Sequence, residues 1–440
     1  MIADRAVLAG TPERELALDC IEAGIEAADP ARVLTEGLTR DESRLTIDGT
    51  VLDLADFDRV VVIGGGKAGG PMAATLETTL GDVIDDGIVV ATEAATYGPI
   101  EVVAGDHPVP SDRGVAATER LLSLVDDATA DTLVLVAISG GGSALLPAPA
   151  SDVSLADLQA VTNDLLASGA TIHEINAVRK HLSAIKGGQL AARARPATVH
   201  ALLLSDVVGD DLSVIASGPT VPDPSTYTDA LAVLETYDIT PPTAVTDRLD
   251  AGTRGEVPET PGPDDPAFER VSNHLLADGG TAARAACDVG MDAGFTPLLL
   301  STRIRGESRE AALTHVAVAE EIRASGQPVE PPAVVISAGE TTVTISGDGT
   351  GGPNQEFALR AAVELTDGAT LAAVDTDGID GASHAAGAIV DEETVTDRRT
   401  AMAALADNDA TPYLQDRTGL LVTGETGTNV NDLRVMVVEP

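Results

Sequence analysis

Lysine occurs only three times in this 440-residue chain, as Lys67, Lys180 and Lys186, and each stands in a segment suited to an anion. Lys67 lies in Gly64-Gly65-Gly66-Lys67-Ala68-Gly69-Gly70, directly after the apolar run 59–63. Lys180 and Lys186 lie in Asn176-Ala177-Val178-Arg179-Lys180-His181-Leu182-Ser183-Ala184-Ile185-Lys186-Gly187-Gly188. A compact ammonium point charge suits phosphate or carboxylate.

Gly64, Gly66 and Gly69 satisfy G-x-G-x-x-G, with Gly65 between them, and Glu93 ends the next apolar run near the distance of a ribose-binding acid. The pattern admits a dinucleotide site, a mononucleotide site or only a tight turn. It is not a Walker A loop, because Ala68 stands where Ser or Thr is required. A second turn, Ser139-Gly140-Gly141-Gly142-Ser143, follows the apolar run 133–138. Consecutive glycines let backbone N–H groups converge on an anion, and the next helix N-terminus adds its dipole. Both serines are expected to donate further hydrogen bonds. Ser143 does not sit in a G-x-S-x-G elbow, which argues against a nucleophile.

Residues 173–200 carry Arg179, Lys180, Lys186, Arg193 and Arg195 against a single acid, Glu174. The whole chain has 70 acids, 27 bases and a net charge of -43. So local a reversal suits an anionic substrate or a charged transition state. The plainer alternative is pairing with acids on neighbouring helices. Four aspartates follow apolar runs, where open-sheet sites form: Asp206, Asp375, Asp377 and Asp380. Hard oxygen ligands of this kind suit Mg2+ bound with a polyphosphate. Two polar, glycine-containing stretches, 351–356 and 426–432, are either sites or turns.

The elements that must position these residues follow from periodicity. Apolar strands are expected at 59–63, 88–91, 133–138 and 201–204. Helices are expected from 11, over 67–79 and 111–125, and near 154–167 and 171–186. Apolar strands alternating with helices indicate a doubly wound, mostly parallel α/β sheet in a larger N-terminal domain of residues 1–240. The prolines and acids of 241–270 read as a linker. A second, smaller α/β domain is expected over 271–440. It has helices near 279–293 and 307–325, and strands at 296–300, 333–337, 371–375, 420–423 and 433–438. Another strand, 342–345, would form a hairpin with 333–337.

Composition sets outer bounds. With 44% hydrophobic residues the chain is globular, not a disordered acidic tail. Its charge is tolerable only under strong screening, which points to a halophilic protein. Nucleic acid and anionic membranes are excluded as partners on charge grounds. Cys20 and Cys287 make no disulfide framework or zinc spacing. No signal-peptide core or membrane-length apolar run is seen, so a cytoplasmic location is expected.

Taken in order, nine segments resemble the glycerate kinase family, with an N-terminal Rossmann-like domain and a C-terminal MOFRL domain. They are 64–68, 105–110, 139–144, 176–188, 206–210, 217–220, 351–356, 375–381 and 427–432. The resemblance implies ATP-dependent phosphorylation of D-glycerate with Mg2+, in a cleft between two domains. For haloarchaeal chains of this type it implies 2-phosphoglycerate as the product. By position, Lys67 resembles the family's active-site lysine, and Asp206 resembles a cleft carboxylate. Lys67, Asp206 and Arg179 are thus the catalytic candidates. The glycines 64–66, the loop 139–143, Asn354 and Glu356 are the candidates for ATP. Lys180, Lys186, Asn429 and Asn431 are the candidates for D-glycerate, and Asp206 and Asp377 for the metal. Many relatives have arginine where Pro353 stands; either another arginine, Arg309 or Arg179, serves that role, or the site is arranged differently. The assembly is left open, a homodimer included. The rival reading from the glycine fingerprint and Glu93 is an NAD(P)H-dependent hydroxypyruvate reductase.

Overall fold

The computed structural model of this chain describes residues 1–365 and 368–440. It forms two compact units, one of Val33–Leu276 and one of Met1–Arg32 with Ala277–Pro440. The boundary expected at residue 240 is therefore corrected at both ends. Thr11 accepts from the Arg14 N–H at 3.2 Å and starts the helix Pro12–Ala27, as expected. That helix buries Leu16, Leu18, Ile21 and Ile25 and packs on helix Gly279–Asp292 of its own unit. Gly24 permits the approach, since a Cβ there would lie 2.4 Å from Leu433 Cδ2. The supposed linker is folded structure in the other unit. It contains helix Thr243–Thr253, and Thr260 donates to the buried Asp223 at 2.9 Å.

The Val33–Leu276 unit is built on a seven-stranded sheet. The strand order is Val271–Ala277, Thr198–Leu204, Thr132–Ile138, Arg59–Gly65, Asp86–Ala91, Ile100–Ala104, Ala95–Tyr97. Pairing is parallel from Thr198–Leu204 to Ile100–Ala104, and antiparallel at the Ala95–Tyr97 edge. Every residue of Thr132–Ile138 is buried, the mark of a strand covered on both faces. Val61, Ile63, Val134, Val136 and Ile138 share a core with Leu121, Leu122 and Val125 of helix Asp112–Asp126. The chain leaves Arg59–Gly65 for a strand on one side and later returns on the other side as Thr132–Ile138. Open α/β sheets bind ligands beside the carboxyl ends of strands at such a reversal. Both glycine loops emerge there.

Three details depart from expectation. A small antiparallel sheet, Leu38–Asp41, Arg44–Ile47 and Thr50–Asp53, has strands too short to show a pattern. The helix expected over 171–186 ends at His181, and Gly187 and Gly188 turn the chain with φ of 60° and 77°. The expected 342–345 hairpin is absent: Ala333–Thr342 is one continuous strand. The Ser346 and Gly347 N–H groups then bond Asn408.

The other unit carries a six-stranded mixed sheet. Its order is Thr296–Glu307, Ala333–Thr342, Asp432–Val438, Ala369–Asp375, Gly387–Val390, Leu420–Leu421. Only the first pair is parallel. Among the described residues no helix is long and apolar enough to cross a membrane.

Candidate functional site

The two glycine loops of the Val33–Leu276 unit interlock. A Cβ on Gly66 would lie 2.1 Å from Ser139 Oγ, and one on Gly64 would lie 1.9 Å from the Ala137 carbonyl oxygen. Only glycine allows so close an approach. The Lys67 N–H donates to the Gly140 carbonyl at 2.8 Å, and the Ala68 N–H donates to Ser139 Oγ at 3.0 Å. These donors precede helix Gly69–Leu80, where a dinucleotide pyrophosphate would need them. Gly64 and Gly66, expected to bind cofactor, are packed tightly against the neighbouring strand and loop. Gly65, expected to do the same, is packed likewise, its missing Cβ facing Leu146 Cγ at 2.8 Å. Glu93 is an exposed residue.

The second loop leaves backbone donors open. The N–H groups of Gly140 and Gly141 find no acceptor among the described residues. A Cβ on Gly141 would lie 2.9 Å from His107 Cδ2 and 3.2 Å from Lys67 Cγ, so both side chains cross this glycine. A Cβ on Gly140 would lie 2.1 Å from Asp206 Oδ2. Lys67 and Asp206, 139 positions apart in sequence, therefore meet at one loop. Beside it opens a cavity of about 220 Å³. Gly141, Ser143, His107, Arg179 and Lys186 line it, with Pro108, Pro110, Leu158 and Leu166 as an apolar wall.

The electrostatics single out two cations. Lys186 is 3% exposed, and among the described residues its ammonium donates only to the Ser143 carbonyl, at 2.9 Å. Burial first, and the Arg179 charge second, push its pKa down to about 7. Burial also lowers the pKa of Arg179. Neither side chain pairs with a carboxylate among the described residues. Two partly desolvated like charges that repel one another make a receptor for an anion.

The other bases of the segment are engaged elsewhere. Lys180, expected to bind substrate, forms a buried ion pair with Asp223 at 3.2 Å and is not among the residues lining the cavity. Asp223 further accepts from Ser225 and Thr260. Arg193 pairs with Asp126 through two bonds of 2.6 Å, and Arg195 is exposed.

Within the other unit, the candidates at 351–356 are committed internally. Glu356, 1% exposed, accepts from Arg309 Nε at 2.6 Å and Asn408 Nδ2 at 2.7 Å. Asn354, also 1% exposed, donates to Asp432 at 2.6 Å and to Asp380 at 3.3 Å. These two residues, expected to hold ATP, are bonded within the unit around helix Pro353–Ala362, whose first N–H groups end on Asp380. Arg309, one expected replacement for the charge missing at position 353, is ion-paired with Glu356. Asn429 Oδ1 accepts from the Asn431 N–H at 3.2 Å, and Thr376 donates to the Asn431 carbonyl. This half-buried loop therefore meets the strand end that carries Asp375 and Asp377. Burial, then the charges of Asp377 and Asp432, raises the Asp375 pKa well above its usual range.

Sequence reasoning assigned no role to His107, Asn176 or Ser217. Their only signal was membership in polar stretches, because each meets the site through folding alone.

Comparison with known proteins gives consistent matches. Residues 16–250 match a domain of unknown function (DUF4147), and residues 333–432 match the MOFRL family. The chain is 40% identical to a glycerate 2-kinase of Pyrococcus horikoshii, over 97% of each chain. It is 43% identical to an Agrobacterium vitis protein provisionally named a hydroxypyruvate reductase, over 86% of this chain and 87% of that one. The crystal structure of glycerate kinase from Thermotoga maritima superposes with a TM-score of 0.86 at 38% identity, covering 96% of this chain and 99% of the other.

Proposed function

The chain belongs to the glycerate 2-kinase family, and from that premise we propose that it transfers the γ-phosphoryl group of ATP to the C2 hydroxyl of D-glycerate. The single observation that carries this reading is the buried Lys186 beside Arg179, two cations facing a cavity without a carboxylate partner. D-glycerate offers the carboxylate they lack.

The reaction joins the C2 oxygen to the γ-phosphorus, breaks the bond to the β–γ bridging oxygen and releases ADP and 2-phosphoglycerate. Phosphoryl transfer asks mainly for in-line positioning and compensation of spread negative charge. In this reading Arg179 and Lys186 hold the glycerate carboxylate. Lys67 and the N–H groups of Gly140 and Gly141 face the transferring phosphate. Asp206 orients the attacking hydroxyl, whose proton passes to it or to solvent.

Mg2+ fits as a nucleotide-bound ion. It needs only one or two carboxylates beside phosphate oxygens and water. Among the described residues no group of three or more His, Cys, Asp or Glu side chains forms a protein-only cage. Asp206 would be the protein ligand in this unit, and Asp377 the candidate in the other. When bound, Mg2+ would supply charge compensation on the phosphates. The net charge of -43 fits a solvent of high ionic strength.

The provisional name of the Agrobacterium vitis relative keeps hydroxypyruvate reduction as a second reading. The filled glycine turn counts against its dinucleotide. One experiment addresses both. Purified protein is incubated with D-glycerate and ATP, or with hydroxypyruvate and NADH or NADPH. The expected result is one new phosphomonoester resonance, that of 2-phosphoglycerate, beside those of ADP, with no nicotinamide oxidation. Nicotinamide oxidation without phosphoryl transfer would replace this reading by the reductase.

A further inference from the structure

The hydrogen bonds behind the cation pocket fix which way the Ser143 hydroxyl points. Ser217 is fully buried, and its Oγ donates to Asn176 Oδ1 at 3.0 Å. It also lies 2.8 Å from Ser143 Oγ. A serine hydroxyl has one hydrogen and two lone pairs. With that hydrogen on Asn176, Ser217 can only accept from Ser143. The single hydrogen of Ser143 is then used, and the oxygen turned to the cavity is an acceptor. The expectation that both loop serines donate to an anion is thereby reversed for Ser143. Ser139 Oγ accepts the Ala68 N–H.

The backbone around Ser217 shows that this arrangement is held against strain. Ala216 and Ser217 both take left-handed conformations, with φ of 49° and 62°. Two consecutive non-glycine residues persist there only when the surroundings over-determine them. The Ser217 carbonyl accepts from the Gly187 N–H at 2.9 Å, and the Gly218 carbonyl accepts from Gly188 at 2.7 Å. Residues 216–218 thus tie the end of the glycine loop to the turn that follows Lys186. Ser143 is gripped twice, through its hydroxyl by Ser217 and through its carbonyl by Lys186.

We propose that Ser143 reads a substrate hydroxyl as a hydrogen-bond acceptor, and that Ser217 and Asn176 are positioning residues that set its polarity. The inference rests on the reading that Arg179 and Lys186 hold a carboxylate in this cavity. It adds a selectivity: hydroxy acids with a second hydroxyl, such as D-glycerate, over the same acid without it, such as D-lactate. A site built to pair a substrate hydroxyl leaves a buried polar group unmatched when that hydroxyl is missing.

Ser217→Gly tests this without confusing it with misfolding, because glycine relieves the left-handed strain while removing the hydroxyl. Freed from Ser217, the Ser143 hydrogen can swing into the cavity. The expected result is a cooperative thermal melt, which shows that the variant folds. The ratio of D-lactate Ki to D-glycerate KM should fall by about ten-fold, the value of one hydrogen bond. A ratio within two-fold of the parent, in folded Ser217→Gly, would overturn the proposal. Lys186→Met supplies the second arm. It should weaken both acids alike. If Lys186→Met weakens both acids while the Ser217→Gly ratio stays put, only the hydroxyl reading falls. If Lys186→Met weakens neither acid, the carboxylate reading falls with it.

Discussion

The cation pocket of the Val33–Leu276 unit and the carboxylate network near Asp380 handle buried charge in opposite ways. Asp380 accepts from the Asn354 and Gln355 N–H groups and from the Gln355 side chain. Asp432 accepts from Asn354 and from the fully buried Arg434. Even so supplied, Asp380 is pushed up to about 6, mainly by burial. There the chain brings its own donors. In the pocket, Lys186 has a lone carbonyl and a repelling Arg179. The same contrast appears within six residues, since Lys180 is paired with Asp223 and Lys186 is not. A buried charge that its own fold satisfies belongs to the architecture. One left short of a counter-charge beside a cavity marks a ligand.

Three measurements can break or sharpen this contrast. The largest effect is expected at Lys67, which is exposed and lies across Gly141. Lys67→Ala should lower kcat by roughly 10²- to 10³-fold, the usual loss for one charge-stabilising group. Its thermal melt should overlay the parent's. Parental turnover in that variant would remove Lys67 from the site.

The paired lysines come next. Lys180→Met leaves Asp223 buried without its cation and should cost about 3–5 kcal/mol in denaturant unfolding. Lys186→Met removes a desolvated charge and should not destabilise, while KM for D-glycerate rises roughly 10- to 100-fold. Equal unfolding midpoints for the two variants would erase the distinction.

The smallest effect is the pH dependence. The folded pKa of Lys186 is depressed from 10.5 to about 7. Between those values the unfolded chain holds a proton that the folded chain lacks, so this group's contribution to stability grows as pH rises from 7. The cost of burying the ammonium is fully present below pH 7. Binding has the opposite sign, because the carboxylate needs the ammonium. KM for D-glycerate should climb as pH rises above 7 and flatten below it, and Lys186→Met should lose that slope. A flat KM from pH 6 to 9 in the parent would mean that Lys186 does not titrate at the site.

Much of the larger unit was legible in advance. Its apolar runs, such as Thr132–Ile138, are buried on both faces, so strand and sheet type follow from local pattern. The short strands at Leu38–Asp53 escaped because four residues carry too little periodicity. The boundary at 240 failed because helix Pro12–Ala27 joins a unit more than two hundred residues downstream, and nothing in its amphipathic pattern names its partner. At the site, the loop 139–143, Lys67, Arg179, Lys186 and Asp206 were all readable as candidates. Asn354 and Glu356 were readable too, yet burial commits them to Asp380, Asp432 and Arg309.

The sequence by itself determined that a parallel sheet would end in two glycine turns, and that scarce positive charge would gather in 176–188. Both are properties of neighbouring residues: apolar runs, glycine clusters and a count of charges. Tertiary structure alone decided that Gly66 packs on Ser139. It also decided that Asp223, 43 positions away, neutralises Lys180 while Lys186 is left facing a cavity. The physical reason is that an ammonium group's chemistry depends on the solvent and counter-charge around it, and both are supplied by residues remote in the chain.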